Sequence, residues 1–72
     1  MTVIFISTDQ KILYALICKN TDLFSSLEAK LYETFPEYSE TDNFFLVNGG
    51  KVNRHKNLDA NNIHNSDIIT LY

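Results

Sequence analysis

Apolar residues fall into four short runs along this chain: VIFI (3–6), ILYALI (12–17), FFLV (44–47) and DIITLY (67–72). Each run is rich in β-branched and aromatic side chains and bounded by polar residues, which predicts a strand. STDQK between the first two is compatible with a turn, so residues 1–17 read as a hairpin. The spacing then changes. Phe24, Leu27, Leu31 and Phe35 recur at helical intervals and predict one buried face of a helix. Thr21 or Asp22 is placed to cap it by accepting a first-turn N–H. Pro36 ends it, because the residue before a proline avoids the α region. The predicted order is strand, strand, helix, strand, a loop-rich stretch over 48–66, and a final strand. No repeat, low-complexity segment or linker interrupts it, so residues 1–72 are expected to form a single domain.

Both glycines lie in one place, LVNGGKV (46–52). A phosphate-binding loop needs a different glycine spacing. Asn-Gly after a strand is the favoured pair for a type I′ corner, where both central residues need φ > 0. Asn48-Gly49 is therefore expected to turn a hairpin, with Lys51-Val52 as its short return.

Composition narrows the class. With 72 residues, 44% of them hydrophobic, the chain suits one compact globular domain. At this size only roughly 60% of the unfolded surface can be buried, so the core has little reserve. Cys18 is the only cysteine, which excludes an intrachain disulfide and fits a reducing cytoplasm or nucleus. No apolar run approaches the ~20 residues of a membrane-spanning helix, and the N-terminus lacks the features of a signal peptide. A net charge of −3 and a pI near 5.1 argue against nucleic acid as the main partner.

Candidate chemistry is sparse. His55, His64 and Cys18 are the soft-metal ligands available, and no paired-ligand spacing joins them. A Cys-His nucleophile pair lacks an orienting third group and a core large enough for a substrate cleft. No catalytic residue, metal site, cofactor or small-molecule substrate is expected, and the chain does not read as an enzyme. Glu33, Glu37, Glu40 and Asp42 form an acidic stretch that reads as a solvated loop. Lys51, Arg54 and Lys56 make a small basic counterpart, suited to the rim of a protein interface.

The stretch FFLVNGGKVNRHKNLDANNIHNSDIITLY carries a family resemblance. Phe45, Val47, Gly49, Lys51, Val52, Leu58, Ile63, Ile69 and Leu71 match the apolar and turn positions of ubiquitin-like β-grasp domains. The hairpin and helix upstream match in length and phase. The resemblance implies an α+β fold, with one helix on one face of a mixed sheet of four to five strands. Such domains serve as modifiers, docking modules and scaffolding domains. This chain departs from the pattern in three ways. It ends at Tyr72 without the flexible tail closed by Gly-Gly, so conjugation is not expected. Asn61 stands where a tyrosine usually pins the loop. In the recognition patch, Leu46 and Gly49 resemble the central apolar residue and its glycine neighbour, but Phe44, Thr70 and Tyr72 replace the arginine, histidine and valine.

The family phase also assigns strand faces. Val3, Phe5, Leu13, Ala15, Ile17, Phe45, Val47, Ile69 and Leu71 should face the helix. Ile4, Ile6, Ile12, Tyr14, Leu16, Phe44, Leu46, Ile68, Thr70 and Tyr72 should face outward, and only Thr70 among them is clearly polar. A one-residue shift in a hairpin strand would swap its faces without making either polar. An outer face this apolar is expected to be an interface. The function expected is a non-catalytic protein-interaction module using that face, self-associating as a two-fold homodimer or serving as part of a longer protein. The alternative is a ubiquitin-like modifier whose Gly-Gly tail is missing from the sequence.

Overall fold

The computed structural model describes residues 1–72. Strands β1 (Thr2–Ser7) and β2 (Leu13–Ile17) form the expected hairpin, followed by helix α1 (Phe24–Thr34) and a 3₁₀ turn over Pro36–Glu40. Strands β3 (Phe45–Val47), β4 (Gly50–Lys51) and β5 (Ile68–Leu71) complete one sheet in the order β2-β1-β5-β3-β4. β1 and β5 run parallel at its centre, and every other pairing is antiparallel. The molecule is a small α+β fold, with one helix and a five-stranded mixed sheet. None of its helices is long and apolar enough to cross a membrane.

The core follows the alternation expected for β1, β3 and β5. Val3, Phe5, Phe45, Val47, Ile69 and Leu71 are buried, together with Phe24, Leu27 and Leu31 from the helix. Phe5, Phe24 and Phe45 meet in its middle with ring centroids 5.0 to 6.2 Å apart, tilted or edge-on as the ring quadrupoles prefer. Leu58 and Ile63 are also buried, so the irregular stretch after β4 is anchored at two points.

Strand β2 has the opposite phase to the one expected. Ile12 is buried, and Tyr14 and Leu16 pack against the core, with the Tyr14 ring edge-on to Phe35 at 5.8 Å. Leu13, Ala15 and Ile17 face outward, and Leu13 is 79% exposed and so does not meet Leu27 or Leu31. The cause lies in the hairpin. β1 pairs with β2 so that Val3 opposes Leu16 and Phe5 opposes Tyr14, joining odd positions to even ones. Directly opposed residues share a face, so the even positions of β2 join the core. An even number of residues, Thr8–Lys11, lies between the outermost partners Ser7 and Ile12. Their pairing is held by the Ser7 N–H donating to the Ile12 carbonyl (3.3 Å) and the Ile12 N–H donating to Ser7 Oγ (2.9 Å).

The helix start also differs. Its N-cap is Leu23, with no side-chain cap, while Asp22 instead accepts the Lys19 N–H at 2.9 Å. The orphan donors of the first turn are met from a distance. Phe24 N–H donates to the Lys56 carbonyl (3.0 Å) and Ser25 N–H to the Arg54 carbonyl (3.1 Å). The loop after β4 thus caps the helix. At the other end the helix stops at Thr34, ahead of Pro36, as expected.

At the glycine corner, Asn48 (φ 50°) and Gly49 (φ 80°) both adopt left-handed backbone between the paired residues Val47 and Gly50. This is the type I′ geometry that the Asn-Gly pair predicts.

Candidate interaction surface

Strand alternation and register together determine the outer face of the sheet. Ile6 on β1 lies opposite Leu13 on β2 and Thr70 on β5; Thr70 lies opposite Leu46 on β3, and Leu46 opposite Lys51 on β4. One row of side chains therefore crosses all five strands. A second row joins Ala15, Ile4 and Ile68. Beyond the first row, the backbones of Phe44 and Tyr72 exchange hydrogen bonds. Their rings stack with centroids 5.3 Å apart and planes 10° from parallel, and Lys51 Nζ lies 5.4 Å above the Phe44 ring. The face is mainly aliphatic on the β1–β2 side and aromatic with one cation towards β3–β4.

Of the residues expected here, Ile4, Ile6, Phe44, Leu46, Ile68, Thr70 and Tyr72 lie together on this surface. Ile68 (53%), Tyr72 (48%) and Phe44 (41%) are the more exposed, and Ile4, Ile6, Leu46 and Thr70 are half-buried by their neighbours. Gly49 sits at the tip of the β3–β4 hairpin, where a Cβ would have open space around it. Tyr14 and Leu16 do not belong to the surface, because the hairpin register turns them to the helix side. Leu13, Ala15 and Ile17 take their places, and the sequence offered no signal for the exchange because both alternating sets of β2 are apolar.

The polar groups near this sheet are engaged in structure. Glu28 is buried on the helix, where it accepts the Tyr32 hydroxyl (2.7 Å) and pairs with Arg54 (3.3 Å). Arg54 also donates to the Asn43 carbonyl (2.9 Å), and the Asn43 side-chain amide donates to Tyr32 Oη (3.2 Å). Burial, with a smaller contribution from the Glu28 carboxylate, pushes the Tyr32 hydroxyl up to about 12, so it stays a donor. Of the basic trio, Arg54 is thus committed to structure, and Lys51 and Lys56 remain exposed. At the opposite end, Asp9 accepts from the Ser7 and Tyr38 hydroxyls and the Lys11 N–H. These bonds, Ser7's the largest cause, hold its carboxyl down at about 2.

The acidic side chains Glu33, Glu37, Glu40 and Asp42 are solvent-exposed, three of them on or beside the 3₁₀ turn. Cys18 is buried, which raises its thiol above the usual range, and His55 and His64 are exposed. No three of the His, Cys, Asp and Glu side chains gather to hold a metal ion.

No protein-family model matches this chain, and no curated protein matches it in sequence. The functional reading therefore rests on the chain's own surface.

Asn61 closes the loop after β4 with its side-chain amide. Its Oδ1 accepts the Asn53 N–H (2.8 Å), and its Nδ2 donates to the carbonyls of Asn53 (2.9 Å) and Asn57 (3.0 Å), with a longer contact to Lys56 (3.4 Å). A primary amide can serve both the N–H and the C=O of one residue, as a strand neighbour would.

Proposed function

We propose that this chain is a non-catalytic protein-interaction module of the ubiquitin-like β-grasp type, which docks a partner protein on the outer face of its sheet. The observation that carries the reading is the row from Leu13 through Ile6, Thr70 and Leu46 to Lys51, flanked by the exposed Ile68, Phe44 and Tyr72. Antiparallel sheets that face water normally alternate apolar-in with polar-out. Here the outer positions of β1, β2 and β3 are apolar, with Ile68 on β5 beside them and Thr70 and Lys51 the polar exceptions, and contiguous apolar surface rimmed by polar groups marks an interaction site. The exposed aromatic pair Phe44 and Tyr72 is of a residue type enriched at protein interfaces. The ubiquitin-like assignment is supported by the order strand-strand-helix-strand-strand-strand, the Asn48-Gly49 corner and the buried Leu58 and Ile63 anchors.

Affinity capture with the full chain as bait tests the reading. A partner retained by the parent and by Lys30→Glu, on the exposed side of the helix, should be lost with Leu46→Glu and with Ile6→Lys. Both outer-face variants should keep the parent's circular dichroism. A partner that survives both substitutions but is lost with Lys30→Glu would place the docking surface on the helix side and overturn the proposal.

A further inference from the structure

Beyond the outer face, the sheet has an open edge whose backbone is itself a binding surface. We propose that β2 is a self-pairing strand: two copies of this chain join antiparallel along Leu13–Ile17, about a two-fold axis at Ala15. β2 ends the sheet on one side, and on the other side β4 has only 2 residues, too few to template a strand. Within the β1–β2 hairpin, Met1 and Cys18 exchange main-chain hydrogen bonds (both 2.8 Å), and the Ser7 N–H donates to the Ile12 carbonyl. Antiparallel ladders alternate bonded and non-bonded pairs. Val3–Leu16 and Phe5–Tyr14 are therefore the bonded pairs, and the N–H and C=O groups of Leu13, Ala15 and Ile17 point to the open side.

Folded proteins usually guard such an edge with a charge, a proline or a bulge inside the strand. LYALI has none of these, and its register with β1 is unbroken. The same three residues send their side chains to the outer face, and Leu13 (79%) and Ile17 (80%) are its most exposed large apolar residues. Pairing about Ala15 sets Leu13 opposite Ile17 of the second copy at both ends of the strand, with the small Ala15 side chains facing each other at the axis. The unpaired backbone groups of all three residues are satisfied and the two most exposed apolar side chains cover each other. Self-complementarity of this kind is what an isologous two-fold contact requires. Because the β4 edge is short, assembly closes at two copies.

The register carries a second signature. It brings Lys11 opposite Lys19 of the second copy at each end, and neither lysine has a carboxylate partner within salt-bridge distance. Like charges facing one another oppose association, and added salt screens them. The dimer should therefore tighten as salt rises.

The backbone contact of this edge is separate from docking on the outer face, although Leu13, Ala15 and Ile17 contribute side chains to that face, and sedimentation equilibrium of the full chain separates the two. The parent should dimerise, and more tightly at roughly 500 mM than at roughly 50 mM NaCl. Ala15→Pro removes the central outward N–H at an edge position where proline is tolerated, and should weaken the dimer at least tenfold. Leu46→Glu should leave it dimeric. A parent that is monomeric at millimolar concentration overturns the proposal, and so does a dimer that survives Ala15→Pro. Should Ala15→Pro fail to fold, Ala15→Cys decides. The two axial Cα atoms would lie about 5.5 Å apart, within disulfide reach, and Cys18 is buried. Mild oxidation should cross-link Ala15→Cys readily and Leu13→Cys poorly, since the latter pair would be ~14 Å apart. The reverse order overturns the pairing.

Discussion

Replacing Asn61 should unpin two elements at once. Its amide holds Asn53 through both the N–H and the C=O and holds Asn57 through its carbonyl, at 2.8 to 3.0 Å. That stretch of loop supplies the Lys56 and Arg54 carbonyls that cap α1, and it is further tied by Leu58 N–H to the Asp22 carbonyl (3.1 Å). Each hydrogen bond contributes roughly 0.5–1.5 kcal/mol net, towards the lower end where water competes. Asn61→Ala removes three good ones, so the loss should be about 2 kcal/mol, or on the order of 10 °C in melting temperature for a domain this small. Asn61→Asp should be at least as damaging at neutral pH, because its second oxygen would face three carbonyls. It should recover partly below pH ~4, where a protonated carboxyl can donate again. Thermal melts give the global cost. Native-state hydrogen exchange should show the Phe24 and Ser25 amides losing protection first, since their acceptors move. If Asn61→Ala melts within about 3 °C of the parent and these amides stay protected, the pin is not what orders the loop.

Other outcomes follow from the same geometry. Gly49→Val should cost on the order of 1–3 kcal/mol through backbone strain alone, because φ is 80° and no atom lies near enough to clash; denaturant titration measures it. Leu27→Ala or Leu31→Ala, both at fully buried positions, should cost roughly 2–5 kcal/mol, whereas Lys30→Ala and Glu33→Ala should leave the melt unchanged. Asp9 has its folded pKa depressed from 3.8 to about 2. Its stabilising contribution should be complete above pH ~4 and lost as pH falls through about 2. Asp9→Asn should flatten that part of the stability curve, and carboxyl NMR titration should find the low midpoint directly.

Where local pattern and tertiary packing agreed, the fold was legible. Phe24, Leu27 and Leu31 lie on the buried helix face, Pro36 marks its end, and Asn48-Gly49 turns where the pair's left-handed preference places it. The phase of β2 was not legible, because Ile12, Tyr14 and Leu16 are as apolar as Leu13, Ala15 and Ile17. The choice was made by the hairpin connection, where Ser7 extends β1 and its hydroxyl accepts the Ile12 N–H. Local capping rules point to a residue next to the helix, but the first-turn donors are met by carbonyls some thirty positions along the chain. Buried Glu28 depends likewise on a distant residue, Arg54, and no local spacing announces that pair. The part Asn61 plays in holding Asn53 and Asn57 was not legible, because it depends on the loop geometry. Most of the outer surface was legible, since β1, β3 and β5 keep the expected phase, and the register of β2 places Tyr14 and Leu16 on the helix side instead.

On the proposed function, the outer sheet face should meet a partner protein. A photo-activatable cross-linking side chain at Thr70, the middle of the row that crosses the sheet, tests it most directly when compared with the same group at Glu33 on the exposed side of the helix. Irradiation of the intact chain in its native cell extract should give a discrete adduct from Thr70 that competes away with added unlabelled parent but not with Leu46→Glu, and none from Glu33. Adducts from Glu33 with none from Thr70 would place the docking surface on the helix side and rule out the outer face.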